Sequence, residues 1–361
     1  MQDQVKAGEE PQKKLEILAS RNFTSWLYEQ KCSLVFTTYQ VGKIFFVGLQ
    51  PDCKLSIYER TFPRAMGVCA SEDTNTIYMS SLYQVWRFEN ALIKDQVTND
   101  LFDRVYVPQM AYTTGDCDLH DMVVTPQGKV YFVNTLFGCV ATLSEKYSFE
   151  PVWKPPFLTK LAAEDRCHLN GLALRDGEPR YASMVAQTDV VDGWREHRKD
   201  GGVVMDITNN KVVCEGLSMP HSPRYHNKKL WVSEAGSGYF GHVNLKTKSF
   251  EPMTFCQGFM RGCSFINNYA IVATSLQREN RTFSDLALDK NLADKNAEPR
   301  CAIYVIDINT GDIVHWLHIE GVVQELYDVV VLPNVIRPKV IGVKSSEIQH
   351  IISIPPTDES I

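Results

Sequence analysis

Three histidines stand at equivalent places in a phrase that recurs along the chain, and they carry the clearest chemical meaning. His120, His168 and His221 each precede or open a short apolar run. Imidazole changes charge near neutral pH and is a common ligand of divalent metal ions. If the three side chains meet in space, they would act as general acids or bases, or would hold a metal. The structural alternative is that they solvate a polar cavity and tie neighbouring elements together.

The corresponding places in other copies of the phrase hold charged, amide or aromatic residues. Asp118 or Glu325 would supply an oxygen ligand to a metal held by the three histidines, with iron, zinc, calcium and manganese as candidates. Tyr327 joins the three histidines as a candidate catalytic residue. The candidate substrate-binding residues are Arg64, Asn170, Arg224, Arg261 and Glu325. Guanidinium groups bind carboxylates and phosphates in a planar fork, and salt bridges to nearby acidic residues are the alternative role.

The recurring phrase consists of a polar loop, an apolar run, a turn and a second run rich in β-branched and aromatic residues. Six copies lie about 50 residues apart, a spacing typical of propeller blades. Their anchor residues are Gly67, Asp121, Gly171, Pro223, Gly262 and Asp328. The pattern predicts an all-β chain folded as a six-bladed β-propeller. Loops that enter the innermost strands of a propeller converge on one face, so the residues before the anchors are expected to meet there.

The two ends of the chain are expected to meet in one blade. The sixth copy is followed only by a run near Val340, read as its next strand, and by a polar tail. Apolar runs within residues 31–60 would supply the outer strands and close the ring, which removes exposed sheet edges. Ahead of them, a short N-terminal amphipathic helix is expected from Leu15, Leu18, Trp26 and Leu27.

The sequence thus divides into a tail with a helix, a single propeller and a second tail. These segments are residues 1–30, 31–345 and 346–361. Residues 279–300 form a charged insertion within the propeller, and this insertion is either a disordered surface segment or a lid.

Composition excludes several classes of partner. The chain has 361 residues, with 37 basic and 43 acidic side chains and a net charge of −6, which argues against nucleic acids and anionic membranes. No apolar stretch approaches the roughly 20 residues that span a bilayer. Its first residues are polar, unlike a secretory signal, so a cytoplasmic location with reduced cysteines is expected. Most of the ten cysteines are expected to pack as small hydrophobic residues.

Two families share phrases with this chain. His168-Leu-Asn-Gly-Leu-Ala-Leu174 resembles the six-bladed propellers of the senescence-marker/gluconolactonase and strictosidine-synthase-like families. In those families an asparagine in this phrase lines the channel and helps to bind a divalent cation, and Asn170 is the residue that matches. A wider resemblance, from about Ser25 to Pro338, is to an uncharacterised bacterial family that carries a domain of unknown function. Phe36-Thr-Thr-Tyr-Gln-Val-Gly-Lys43 and Met219-Pro-His-Ser-Pro-Arg224 are among its phrases.

Two functions remain open at this stage. One is an enzyme that binds a small, polar and anionic substrate at the channel mouth, with or without a metal. Its reaction would be a hydrolysis, an isomerisation or elimination, or an oxygenation. The other is a non-catalytic propeller that presents its face to a peptide or protein. The sequence gives no indication of the oligomeric state.

Overall fold

Short runs of β-branched and aromatic residues, separated by turns, form six antiparallel sheets. The computed structural model describes residues 14–276 and 284–355, and within them it contains twenty-six strands. Each sheet is one blade, and one of its edge strands lies innermost, at the axis of the ring. Every innermost strand contacts the innermost strands of both neighbouring blades, so the six sheets form a closed ring. The predicted six-bladed β-propeller is confirmed.

The first three blades follow one another along the chain. Blade 1 contains β5 (Val68–Ala70), β6 (Thr76–Ser80), β7 (Gln84–Asn90) and β8 (Arg104–Thr113). Blade 2 contains β9 (Leu119–Val124), β10 (Val130–Asn134), β11 (Cys139–Thr142) and β12 (Glu150–Trp153). Blade 3 contains β13 (Leu169–Arg175), β14 (Glu178–Met184), β15 (Gly202–Asp206) and β16 (Lys211–Leu217).

The remaining blades complete the ring. Blade 4 contains β17 (Pro220–His226), β18 (Lys229–Glu234), β19 (Tyr239–Asn244) and β20 (Ser249–Phe255). Blade 5 contains β21 (Phe259–Ile266), β22 (Tyr269–Ser275), β23 (Ala302–Asp307) and β24 (Ile313–Glu320). Blade 6 joins the innermost β25 (Val329–Pro333) to β2 (Cys32–Thr38), β3 (Lys43–Leu49) and β4 (Leu55–Thr61).

Blade 6 closes the ring by the predicted pairing of the two chain ends. Val35 of β2 lies opposite Val330 of β25 in an antiparallel ladder. All three outer strands of this blade therefore come from the N-terminal part of the chain. The buried residues of β2 and β3, such as Phe36 and Phe45, stack within the core of the blade at a centroid distance of 4.9 Å.

Two further strands correct the sequence expectations. Residues 16–19, which were expected to be helical, form β1 (Glu16–Ala19), which pairs with the outer edge of β24. Their exposure alternates along the strand, because only one face meets the protein. The run near Val340 is not a strand of blade 6, whose β25 is already paired with β2. Instead β26 (Pro338–Val340) adds to blade 1 in parallel with β8.

Two α-helices occur in the described residues. The predicted N-terminal helix is shorter than expected: α1 (Phe23–Gln30) buries Phe23, Trp26 and Leu27 against the propeller. In the insertion, residues 279–283 lie outside the described part. Its remainder contains α2 (Ala287–Asp294), which buries Leu288 and Leu292. This helix is held by hydrogen bonds to blade 4, including Asn291 Nδ2 to the carbonyl of Ser237 at 2.8 Å.

Three of the anchor residues are glycines and two are aspartates that accept hydrogen bonds from a neighbouring blade. A Cβ atom placed on Gly262, whose φ is +77°, would lie 2.7 Å from the Cα of Asp328, so only glycine permits this close approach of blades 5 and 6. The two aspartates join blade 2 to blade 3 and blade 6 to blade 1. Asp121 accepts from the N–H of Leu172 at 3.0 Å, and Asp328 accepts from that of Val68 at 2.9 Å. Side chains at the axis thus connect the blades.

All ten cysteines are free, and nine of them are buried. Cys69, Cys139, Cys263 and Cys301 lie in hydrophobic clusters, as expected for small apolar side chains. Burial raises the pKa of the Cys139 thiol to about 12, so that thiol is held in its neutral form. The nine buried cysteines therefore act as packing residues.

Candidate functional site

The predicted site residues converge where the chain enters the innermost strands. The rings of His120 and His168 lie 4.8 Å apart, and the His120 ring lies 5.5 Å from that of Tyr327. The Arg261 guanidinium lies 5.0 Å from the Tyr327 ring, and the His221 ring lies 5.4 Å from that of Phe259. We call this group the mouth cluster, and its members are His120, His168, His221, Phe259, Arg261 and Tyr327.

His168 is held by a carboxylate. Its Nδ1 lies 2.9 and 3.1 Å from the two carboxylate oxygens of Asp165, three residues earlier in the chain. The indole Nε1 of Trp194 donates to the same carboxylate at 2.8 Å, and the indole ring stacks on the imidazole at 4.1 Å. A carboxylate at Nδ1 places the proton there and leaves Nε2 with its lone pair.

His120 is held by its own strand and the next one. Its Nδ1 lies 2.7 Å from the carbonyl oxygen of Asp118 and 2.9 Å from the hydroxyl of Thr135. That hydroxyl donates to the carbonyl of Leu169 at 2.6 Å, so its oxygen is free to accept the Nδ1 proton. Burial lowers the pKa of His120 to about 4, although Asp118 nearby opposes the shift. His120 is therefore neutral at physiological pH.

His221 repeats this arrangement in blade 4. Its Nδ1 donates to the carbonyl of Met219 at 2.9 Å, and its Nε2 lies 3.4 Å from the amide nitrogen of Asn170. The hydroxyl of Ser183 donates to the Asn170 amide oxygen at 2.8 Å, which orients the amide. Burial, and then the positive charge of Arg261, lower the pKa of His221 well below its usual value. His221 is also neutral.

The three imidazoles therefore share one tautomer. A carbonyl or carboxylate oxygen accepts from Nδ1 in each ring, so the network assigns the proton of the neutral ring to Nδ1. The Nε2 atoms are acceptors. Such a set can accept protons, receive hydrogen bonds from a ligand, or bind a metal ion.

Arg261 supplies positive charge to the same place. Its guanidinium lies over the rings of Phe259 and Tyr327, at 5.1 and 5.0 Å from their centroids. The residue is only 7% exposed. The Tyr39 ring stacks on the Tyr327 ring, with their centroids 5.6 Å apart. A cation held between aromatic rings in a buried setting is well suited to an anionic ligand, because low dielectric strengthens the attraction.

Arg64 and Asp118 lie beside the cluster. The Arg64 guanidinium pairs with Asp116, whose carboxylate also accepts from the backbone N–H of Asp118 at 3.0 Å. The Asp118 carboxylate lies 3.7 Å from Nδ1 of His120. Glu325 is buried, and its charge adds to burial in raising the pKa of the Cys301 thiol to about 12.

Arg224 lies away from the mouth cluster. Its two terminal nitrogens bind the two carboxylate oxygens of Asp121 at 2.8 and 3.0 Å, and Nε donates to the carbonyl of Cys263 at 2.9 Å. It lines a pocket of about 270 Å³ with residues from the middle and far parts of all six innermost strands. The structure thus places Arg224 in the axial network of the channel.

Sequence reasoning missed three residues that hold the histidines. Asp165, Thr135 and Trp194 were not singled out, because they lie outside the register of the anchors. The spacing of Asp165 and His168 was a usable signal, since a carboxylate three residues before a histidine can reach its ring. Nothing in the sequence places Trp194 there, because it comes from a long loop of blade 3.

No ready-made metal centre is present in residues 14–276 and 284–355. In that part of the chain, no three side chains of His, Cys, Asp or Glu are grouped so as to hold a metal ion. Nor does any helix there have the length and apolar character to cross a membrane.

Fold and site together define a six-bladed β-propeller with buried imidazoles at the mouth of its channel. The chain belongs to the family described as domain of unknown function DUF4915, whose model matches residues 21–341. A search of curated proteins finds no match to it.

Solved structures match this chain at low sequence identity. A chain of the nidogen/laminin complex has a TM-score of 0.53 and 9% identity, over 84% of this chain and 99% of that one. A protein of unknown function from Bacteroides caccae has a TM-score of 0.47 and 12% identity, over 83% and 98%. An inactive H270A virginiamycin B lyase from Staphylococcus aureus, crystallised with quinupristin, has values of 0.39 and 13%, over 85% and 99%. The nidogen/laminin likeness concerns the fold alone.

Proposed function

We propose that this protein is an enzyme that binds a small anionic substrate at the mouth cluster and uses His168 as a general base. The observation that carries the proposal is the hydrogen bond between Asp165 and Nδ1 of His168. A carboxylate in this position fixes the tautomer with a free Nε2 and stabilises the imidazolium that forms when Nε2 takes a proton. The proton would come from the substrate or from a water molecule beside it.

The charge of the mouth supports an anionic substrate. Arg261 lies between two aromatic rings, and it contributes to lowering the pKa of His221, so its field reaches the imidazoles. His120 is a neutral acceptor through Nε2 and would receive a hydrogen bond from a hydroxyl or N–H group of the substrate, whereas Nε2 of His221 accepts from the Asn170 amide. Arg64 would add to the binding of charge, and Asn170 and Tyr327 would orient the substrate.

The burial of these groups supports a small molecule over a peptide or protein. His120, His221 and Arg261 are each less than a tenth exposed. A folded partner docks on exposed surface, whereas small ligands enter recesses lined by a few polar groups. The proposed base step is common to hydrolysis, isomerisation and elimination, so these three reaction types remain together in the proposal.

A second candidate is a metal-dependent enzyme with the same residues. Metal-bound histidines almost always donate the second ring N–H to a carbonyl or carboxylate, and all three imidazoles of the mouth do so. They would hold iron, zinc, calcium or manganese together with Asp118, and the metal would act as a Lewis acid. Because no ready-made group of three ligands exists in the described residues, the rings would have to move closer to bind an ion.

A thermal-shift screen tests the proposed binding. The probes are a panel of small carboxylates and phosphate esters, and separately the four metal ions added to protein freed of metal. At 100 times its Kd, a ligand stabilises the native state by about 2.7 kcal/mol. We expect an anion of the panel to raise the Tm of the wild type. The increase should be smaller in Arg261→Gln and in His168→Ala. It should be unchanged in the control His350→Ala, which alters an exposed histidine.

Two results would count against the proposal. If the same anion stabilises Arg261→Gln and wild type equally, the mouth does not bind it. Stabilisation by a metal ion that disappears in His120→Ala and His221→Ala would instead favour the metal-dependent candidate.

A further inference from the structure

A long loop of blade 3 is bound to the segment that carries His168. Residues 185–201 connect β14 to β15, and they include a short 3-10 helix, Gly193–His197. The Asp189 carboxylate in this loop accepts from the backbone N–H and the hydroxyl of Thr159, at 3.2 and 2.7 Å. It also pairs with Arg166, two residues before His168. We call residues 185–201 the strap.

Trp194 is the residue of the strap that reaches the site. It is 2% exposed and packs in one hydrophobic cluster with Met219, Leu286 and Leu288. Its ring lies nearly parallel to the His168 imidazole, with an angle of 26° and a centroid distance of 4.1 Å. Its Nε1 donates to the Asp165 oxygen that also lies nearest to the imidazole Nδ1. One side chain therefore contacts both partners of the base.

We infer that Trp194 is a positioning residue that holds the Asp165 carboxylate in line with His168 and restricts proton transfer to the Nε2 edge. The indole N–H fixes the carboxylate, which would otherwise be free to rotate about its own bond. The indole ring covers one face of the imidazole, so the ring cannot turn over. The importance of this role for catalysis rests on the proposed function of His168.

The charge state of Asp165 agrees with this role. Burial acts to raise the pKa of the Asp165 carboxyl, but the positive charge of protonated His168 and the hydrogen bonds from His168 and Trp194 lower it below its usual value. The carboxylate is therefore ionised when His168 needs a counter-charge. Stacking of the indole on the His168 imidazole would hold the imidazole beside the Asp165 carboxylate while Nε2 takes up a proton.

The test replaces the indole by a ring that cannot donate. Trp194→Phe keeps an aromatic surface against His168 and removes only the N–H donor. The matched control is Trp153→Phe, because Trp153 also donates through Nε1, to Asn210 at 2.7 Å, on an outer strand of blade 2. The readout is the side-chain ¹⁵N spectrum of the histidines, which distinguishes the two neutral tautomers. A merely structural role of Trp194 would not change this signature.

We expect a single Nδ1–H tautomer for His168 in the wild type and in Trp153→Phe, and a mixture of tautomers in Trp194→Phe. Conversion of any anion that the wild type turns over should fall by about tenfold or more in Trp194→Phe, because the base loses its alignment. If Trp194→Phe does not fold, Asp165→Asn serves instead, since it exchanges one carboxylate oxygen for an NH₂ donor while keeping the stack; with the indole N–H on the remaining oxygen, the NH₂ group faces Nδ1. It should also give mixed tautomers.

A single Nδ1–H tautomer for His168 in folded Trp194→Phe or Asp165→Asn overturns the positioning role. The two proposals fail separately. Mixed tautomers in Trp194→Phe, combined with unchanged anion binding and turnover in His168→Ala, would uphold the positioning role and refute the proposed function.

Discussion

Replacing Arg224 with methionine should strongly destabilise the propeller. The Arg224 guanidinium binds both oxygens of Asp121, lies 3.8 Å from an oxygen of Asp328, and donates to carbonyls of blades 3 and 5. Methionine has a similar volume but leaves two buried carboxylates without a counter-charge. Asp121 and Asp328 also accept hydrogen bonds from backbone N–H groups of neighbouring blades. Loss of their counter-charge should therefore weaken the contacts between those blades.

The size of the effect follows from the burial of the pair. Breaking a buried ion pair by removing one partner typically costs about 3–5 kcal/mol. The entropy of unfolding, about 2.1 cal/mol/K per residue, gives about 0.8 kcal/mol/K for 361 residues. The Tm should therefore fall by about 4–6 °C at neutral pH.

The loss of stability in Arg224→Met should depend on pH in a defined direction. Burial and the neighbouring Asp121 already raise the pKa of Asp328 in the wild type, with Arg224 opposing them, so removing Arg224 raises this pKa further. The native state of the variant then binds more protons than the unfolded chain at any pH between about 3.9 and the raised value. The wild type shares this excess up to its own Asp328 pKa of about 8, so the stability of the variant relative to wild type should fall as pH rises above about 8.

Differential scanning calorimetry of both proteins between pH 7 and 10 measures this difference. Lys339→Met, at an ion pair on the outer edge of blade 1, is the control and should change the Tm by less than 2 °C, as expected for a partly exposed pair. A Tm difference for Arg224→Met that is absent at pH 7, or that is larger at pH 7 than at pH 10, would refute the reasoning.

Three further predictions concern the ring and its histidines. Gly262→Ala should lower the free energy of unfolding by about 2 kcal/mol or more, because the alanine Cβ would lie 2.7 Å from the Cα of Asp328. A decrease below about 0.5 kcal/mol in urea denaturation would contradict this. Deleting residues 14–61 removes the outer strands of blade 6, so the product should lack a cooperative thermal transition. Because burial lowers the pKa of His120 to about 4, the native state resists its protonation, and stability should fall by roughly 3 kcal/mol as pH drops from 6.5 towards 4. His120→Gln should flatten this slope, and an unchanged slope would contradict the assignment.

The ring was predictable because its signal is periodic. Each blade repeats the same phrase, and the anchors Gly67, Asp121 and Gly171 occupy sites where neighbouring innermost strands approach or bond. The short strands at the ends were not predictable in the same way. Whether Leu18 lies on a helix or strand depends on the free edge of β24, which is more than 290 residues away. Local sequence does not contain that information.

The sequence repeat predicted which histidines lie at equivalent positions, but it did not predict the residues that hold them. The common register of His120, His168 and His221 predicted that they meet; in the structure the ring of His120 contacts that of His168, and the ring of His221 contacts that of Phe259. Arg224 stands next to the same register but is one strand position further along, where it meets Asp121 in the axis. Trp194 comes from the loop between the second and third strands, which is long only in blades 3 and 5, so the six-fold repeat could not reveal it.

Turnover in D₂O tests the central claim most directly. The anion that stabilises the wild type is incubated with enzyme, and its ¹H spectrum is followed for loss of a C–H signal or conversion to a product. General-base catalysis contributes about 10²–10⁴ to a rate, so His168→Gln should be at least a hundredfold slower than wild type. Equal rates for wild type and His168→Gln would contradict a role for His168 as the base of this propeller.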